Sequence, residues 1–143
     1  MIDNEGVSST LEYVIIFGIS FIVLTSSILV VSQMENRVIQ SSSREKLEAI
    51  GNKIASKVTK TYLTHLSGEG YFKKELGVPS KINGENYLVR LDDDSVILEK
   101  DDIRVSTKLF NLNKSVNLRG EEISSEELFI IYDGENITLE SSS

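Results

Sequence analysis

The stretch from Tyr13 to Val31 reads YVIIFGISFIVLTSSILVV and contains no charged residue and no proline. At about 1.5 Å per residue, a helix of this length is about 28 Å long, which is close to the thickness of the hydrocarbon core of a bilayer. The rest of the chain is rich in charged residues. The stretch therefore predicts a single transmembrane helix that holds a small domain beside a membrane.

Two other interpretations of this stretch stay open beside the membrane helix. A cleaved secretory signal has a basic segment before a shorter apolar run, whereas residues 1–6, MIDNEG, contain two acids and neither Lys nor Arg. A buried core helix would have to be surrounded by protein on every side. We expect a retained membrane helix rather than either alternative.

Composition limits the classes of function that the chain can have. Its 143 residues carry a net charge of −7 without a basic cluster, which argues against nucleic-acid binding. With no cysteine and one histidine, thiolate metal sites, cysteine nucleophiles and most histidine-based triads are excluded. Asp92, Asp93 and Asp94 lack the ligand spacing of a calcium loop and predict an acidic hairpin turn instead. We therefore expect no catalytic residue, metal site or cofactor, and a protein that is not an enzyme.

The beginning of the long helix has a recognisable sequence pattern. Ser9 and Glu12 have the S-x-x-E spacing of a capping box, which places the first helical residue at Thr10. In this interpretation the Glu12 carboxylate accepts a hydrogen bond from the Ser9 backbone N–H and stabilises the positive end of the helix.

After Val31 the pattern becomes amphipathic, which predicts a helical extension over residues 32–67. Apolar residues recur there every three or four positions, on one helix face. They are Leu47, Ile50, Ile54, Val58, Tyr62 and Leu66. The serines at 41–43 interrupt this stripe, and Gly51 is a weak point of the helix.

From Tyr87 onward the hydrophobic period changes to two, which is typical of half-buried strands. Five or six short strands are predicted, and Asp133-Gly134 indicates a hairpin turn between the last two. The fold class is therefore α+β, a long N-terminal helix packed on a small C-terminal antiparallel sheet. The predicted organisation is a leader and helix cap (1–12), the transmembrane helix (13–31), the amphipathic extension (32–67), a connector (68–86), the β-domain (87–140) and a tail (141–143).

Two motifs in this arrangement resemble those of archaeal type IV pilin-like proteins. The first is GVSSTLEY at 6–13, which leads into the apolar helix. The second is LGVPSKI at 76–82 with YLVRL at 87–91, which looks like the start of the β-domain in small archaeal relatives. The resemblance implies a pilin-like fold.

The resemblance also implies a processing step and a set of partners. In such families a prepilin-type peptidase removes the leader, and here the cut would fall between Gly6 and Val7. Glu12, which is otherwise the capping residue, would then pair with the N-terminal amine of a neighbouring subunit. The expected partners are membrane lipid and, through the N-terminal helix, other pilin-like subunits.

The function that follows from the resemblance is structural. We expect a minor pilin-like component of an archaeal type IV pilus-like surface filament or pseudopilus. The alternative from another class is a membrane-anchored extracytoplasmic binding or tethering module that does not polymerise, similar to accessory proteins of the archaeal motility filament. An enzyme or receptor subunit of a larger membrane complex is a third possibility.

Two sequence features disagree about which side of the membrane holds the C-terminal domain. Arg37, Arg44 and Lys46 follow the apolar stretch and no Lys or Arg precedes it, which favours a cytoplasmic C-terminus. Asn113 and Asn136 stand in N-glycosylation acceptor triplets, which fit an exported domain. Because a long domain can cross regardless of flanking charge, we expect a single-pass protein whose C-terminal domain is extracytoplasmic.

Overall fold

A computed structural model describes residues 4–65, 70–109, 116–124 and 127–142. The chain divides into two compact units, which we call unit 1 (Met1–Ile39) and unit 2 (Gln40–Ser143). Helix α1 extends from Asn4 to His65 and contributes residues to both units. The described strands, all in unit 2, are β1 (Phe72–Glu75), β2 (Leu88–Asp92), β3 (Ser95–Lys100), β4 (Ile103–Lys108), β5 (Asn117–Ile123), β6 (Leu128–Tyr132) and β7 (Asn136–Ser141).

The start of α1 differs from the prediction. The helix is already formed at Asn4, so Ser9 lies inside it and does not cap it. The physical reason is that residues 4–8 contain no proline, and the single Gly6 weakens a helix without ending it. At the other end, α1 is described as far as His65, and residues 66 and 67 of the predicted extension lie outside the described residues.

The part of α1 in unit 2 packs against the sheet through the predicted apolar stripe. Its residues Leu47, Ile50, Ile54 and Val58 are buried in the core, and Tyr62 is partly buried against that core. The serine run does not interrupt the helix or the stripe, contrary to the prediction. Ser43 is buried and its Oγ accepts a hydrogen bond of 2.8 Å from Asn83 Nδ2, which satisfies the hydroxyl and extends the stripe by one turn.

Gly51, predicted as a weak point of the helix, lies close to side chains of strands β3 and β4. A Cβ atom built on Gly51 would lie 2.7 Å from Thr107 Oγ1 and 3.1 Å from Leu98 Cδ1. These distances are shorter than a normal van der Waals contact. The glycine therefore costs some helix stability but allows the helix to lie close to the sheet.

The sheet has seven described strands in the order β1-β6-β7-β5-β2-β3-β4. Its strand pairs are antiparallel except one, because β5 and β7 run parallel, with Leu118 opposite Ile137. The α+β fold of a helix packed on a mostly antiparallel sheet is thus confirmed. The acidic turn predicted at 92–94 separates β2 from β3, except that Asp92 is the last residue of β2. The turn predicted at Asp133-Gly134 separates β6 from β7.

Strand β1 lies within the region predicted as a connector, which is a correction to residues 68–86. It pairs antiparallel with β6 at the edge of the sheet, with Lys73 opposite Ile131. Lys73 Nζ lies 4.4 Å from the centre of the Phe129 ring and 2.7 Å from Glu140 Oε2. Because only Phe72 of the four residues is even partly buried, no hydrophobic alternation marks this strand in the sequence. The predicted tail also shortens, since β7 continues to Ser141.

Two lysines of α1 bind the end of β1 and the start of the segment between β1 and β2. Lys53 Nζ donates a hydrogen bond to the Gly77 carbonyl, and Lys57 Nζ donates one of 2.9 Å to the Glu75 carbonyl. Partial burial and the neighbouring ammonium groups of Lys53 and Lys74 lower the pKa of Lys57. The segment is therefore held through its backbone, although it has little regular structure.

Tyr87 and Ser124 hold the other end of this segment. The Tyr87 hydroxyl donates a 2.5 Å hydrogen bond to the Pro79 carbonyl, and the Tyr87 backbone exchanges two hydrogen bonds with Ser124. Ser124 Oγ in turn donates to the Ser80 carbonyl at 2.7 Å. Tyr87 is only 2% exposed, and this burial raises the pKa of its phenol from 10.0 to about 12.

The raised pKa of Tyr87 predicts a loss of stability at alkaline pH. The folded state holds the phenolic proton more tightly than the unfolded state. The protonated phenol therefore contributes fully to the free energy of unfolding below pH 10, and this contribution is lost as pH rises toward 12. The free energy of unfolding should fall by about 2–3 kcal/mol for this reason. It is measured as the free energy of denaturant unfolding between pH 9 and pH 12. Tyr87→Phe should remove this component and lower stability at pH 8 by about 1 kcal/mol. An identical pH dependence in both proteins would contradict the assignment to Tyr87.

Candidate membrane and binding surfaces

The main unusual surface of unit 1 is its exposed apolar helix. One helix among the described residues is long and apolar enough to cross a membrane, and none of its most apolar window is buried. Exposed side chains include those of Tyr13 (74%), Phe17 (74%) and Ile22 (65%). Apolar exposure also continues beyond Val31 to Met34, Val38 and Ile39, which belong to unit 1. The apolar surface is therefore longer than the predicted span of 13–31.

The apolar surface contains three consecutive hydroxyl side chains, and each of these three is satisfied within the helix. The hydroxyls of Thr25, Ser26 and Ser27 donate 2.8 Å hydrogen bonds to the backbone carbonyls four residues earlier. A hydroxyl that is paired in this way does not need water. The predicted membrane segment thus remains compatible with hydrocarbon despite its three consecutive polar residues.

The structure places the predicted processing and assembly residues on the first turns of α1. Gly6 and Val7 lie within the helix, two and three residues after its first described position. Glu12 is exposed. Because α1 begins at Asn4, before Ser9, Ser9 and Glu12 do not form the predicted capping box at the start of the helix. Pairing of Glu12 with a neighbouring amine remains a prediction.

Of the two predicted glycosylation sites, Asn113 lies outside the described residues. Asn136 begins β7, and its Nδ2 donates to both carboxylate oxygens of Asp133 at 3.2 and 3.0 Å. This contact, with the backbone N–H groups of Glu135 and Asn136, lowers the pKa of Asp133. A glycan attached to Asn136 Nδ2 would replace one of the hydrogens available for these bonds. Glycosylation at either site stays a prediction.

In the acidic turn between β2 and β3, a side-chain carboxylate is paired with the backbone of the next residue. Asp92 Oδ1 accepts a hydrogen bond of 3.0 Å from the Asp93 N–H. Within the described ranges, no group of three or more His, Asp or Glu side chains is placed to hold a metal ion.

A second surface feature, in unit 2, was not predicted from the sequence. Arg44, Glu48 and Asn52 of α1 border a groove whose other wall is the segment 104–108 of β4. We call this the β4 groove, and its volume is about 510 Å³. The three helix residues follow at intervals of four, which is a detectable signal for a polar stripe. Which strand would lie beside that stripe depends on sheet order, and the sequence pattern does not contain that information.

Comparison with other proteins adds a family but no described function. Searches of curated proteins and of solved structures return no match. A family model matches residues 2–141, nearly the whole length of the chain. The chain therefore belongs to DUF7266, a family of unknown function.

Proposed function

We propose that this protein is a structural subunit, a minor pilin-like component of an archaeal type IV pilus-like surface filament or pseudopilus. The observation that carries the proposal is that the two parts of α1 have different surroundings. Its unit 1 part exposes apolar side chains on all sides, and its unit 2 part forms the core of a small β-domain. One helix thus belongs both to an apolar segment and to a folded domain.

The exposed surface of unit 1 gives the physical reason for assembly. Burying one large aliphatic side chain is worth about 1.5–3 kcal/mol, and more than ten such side chains are over 50% exposed between Leu11 and Ile39. Contiguous apolar surface of this extent marks a membrane or protein contact. Lipid would cover it in the membrane, and the helices of other subunits would cover it in a filament.

A single cysteine tests on which side of the membrane the β-domain lies. Ser142 is exposed and the native chain has no thiol, so we expect Ser142→Cys to be labelled by a membrane-impermeant maleimide on intact cells. A matched cysteine at Ser9, which is exposed, precedes the apolar stretch and lies after the expected cut, should be labelled only after lysis. The reverse pattern would place the β-domain in the cytoplasm and end the pilin-like proposal.

Leader removal provides an independent test of the pilin-like proposal. We expect the mature protein to begin at Val7 and Gly6→Leu to retain residues 1–6, because a bulky side chain at the cut position blocks the peptidase. Intact-mass measurement of the purified protein distinguishes the two forms. Ser8→Ala is the control and should leave the mass of the mature chain changed only by the lost oxygen. A native chain that keeps residues 1–6 would contradict processing.

A membrane-anchored tethering module that does not polymerise is the second candidate, and the β4 groove favours it because a tether needs a partner site.

The two candidates differ in where the protein is recovered. A filament subunit should appear in filaments sheared from cells, and this recovery should fall when residues of unit 1 such as Val38 are replaced by Asp. A tether should remain entirely in the membrane fraction.

A further inference from the structure

Strand β4 lies at the edge of the described sheet, and along one side its backbone groups pair with none of the described strands. Among the described strands, it pairs with β3 alone. The Leu109 N–H donates to the Asp94 carbonyl at 2.6 Å, and antiparallel partners alternate between hydrogen-bonded and non-hydrogen-bonded pairs. In this register Thr107, Val105 and Ile103 bond to β3. The N–H and C=O groups of Arg104, Ser106 and Lys108 therefore point away from the sheet.

The charge of the β4 groove is opposite to that of the whole chain. Its lining contains the cations Arg44, Arg104 and Lys108 and one carboxylate, that of Glu48, whereas the chain carries a net charge of −7. Glu99 on β3 lies 3.2 Å from Arg104 Nε, but the Arg104 side chain remains 61% exposed. A local excess of positive charge beside an open strand edge favours an anionic partner with an extended backbone.

We propose that the β4 groove binds an acidic, extended peptide segment of another protein, which adds to the sheet as a strand beside β4. The backbone of the segment pairs with the outward groups of Arg104, Ser106 and Lys108. Its acidic side chains lie near Arg44, Arg104 and Lys108. Backbone pairing supplies affinity, and the cations select the charge of the segment and speed its association.

The test uses the full chain in detergent micelles and a defined probe. The probe is a fluorescein-labelled nine-residue peptide in which Glu alternates with Thr, and binding is measured by fluorescence anisotropy. The control peptide carries the same charge but has proline in place of each Thr, because proline removes the N–H groups and the extended geometry that strand pairing needs. We expect the Thr peptide to bind at least tenfold more tightly than the proline peptide.

Protein variants separate the groove from general electrostatics. Lys108→Glu should weaken binding of the Thr peptide at least tenfold. Lys81→Glu makes the same charge change at an exposed residue outside the groove and should change binding less than twofold. Ser106→Pro removes one outward N–H while leaving the bonds to β3 in place, and it should also weaken binding. Near-UV circular dichroism of each variant checks that the β-domain is folded.

Three results would overturn the proposal. Equal binding of the two peptides would mean that charge alone attracts them, and equal losses in Lys108→Glu and Lys81→Glu would mean that the groove is not the site. Failure of the Thr peptide to bind, together with self-association of the protein that Lys108→Glu abolishes, would assign the groove to a second copy of this chain.

Discussion

Ile54→Asp should destabilise unit 2 by about 4 kcal/mol or more. Ile54 is 0% exposed and lies in the middle of the buried stripe of α1. A carboxylate at this position would be surrounded by the side chains of the core and would lack a hydrogen-bonding partner, and a buried unpaired charge is among the most destabilising substitutions. Chemical denaturation of a chain beginning at residue 36, followed by near-UV circular dichroism of the tyrosines, measures the change.

Two further substitutions make the Ile54 result specific. Ser56→Asp introduces the same carboxylate on the exposed side of the same helix and should change stability by less than about 0.5 kcal/mol. Ile54→Val removes one methylene and should cost about 1 kcal/mol. Unchanged unfolding of Ile54→Asp would mean that α1 does not contribute to the core in solution.

The second large effect is expected at Gly120, where strand β5 changes partners. Residues 117–119 of β5 pair in parallel with β7, and residues 120–123 pair antiparallel with β2. Gly120 has a φ of +139°, and a Cβ atom there would lie 2.8 Å from the backbone nitrogen of Leu139. Both the backbone conformation and the close approach of β7 therefore require glycine.

Gly120→Ala should destabilise unit 2 by about 3 kcal/mol or more, because the added methyl group meets backbone that cannot move without disturbing β7. Gly134→Ala is the matched control. Gly134 also has a positive φ, +105°, but no atom beyond the adjacent residues lies within 4 Å of a Cβ built on it, so its substitution measures the conformational cost alone. Denaturation midpoints of the two variants give the comparison. Equal losses would show that contact with Leu139 is unimportant.

Some parts of the candidate site follow from the order of residues and others do not. The apolar run at 13–31 and the stripe from Leu47 to Val58 are periodic patterns, and periodicity reflects which side of an element meets water. The strand-forming region after Tyr87 is visible for the same reason. Strand β1 has no such pattern because it lies at an edge and exposes most of its side chains. The burial of Ser43 is likewise not predictable from a local pattern, since its hydrogen-bonding partner, Asn83, is 40 residues away.

Residue order is enough to predict an apolar helix of membrane-spanning length, an amphipathic continuation and a β-rich C-terminal half. The reason is that the hydrophobicity of each residue, and the period with which apolar residues recur, are local properties. Only the folded chain shows the strand order, the parallel pair of β5 with β7, the need for glycine at 120 and the β4 groove. These features depend on which distant segments meet, and hydrogen bonds between strands carry no side-chain signal in the sequence. The edge that β4 leaves open is for this reason a property of the folded domain.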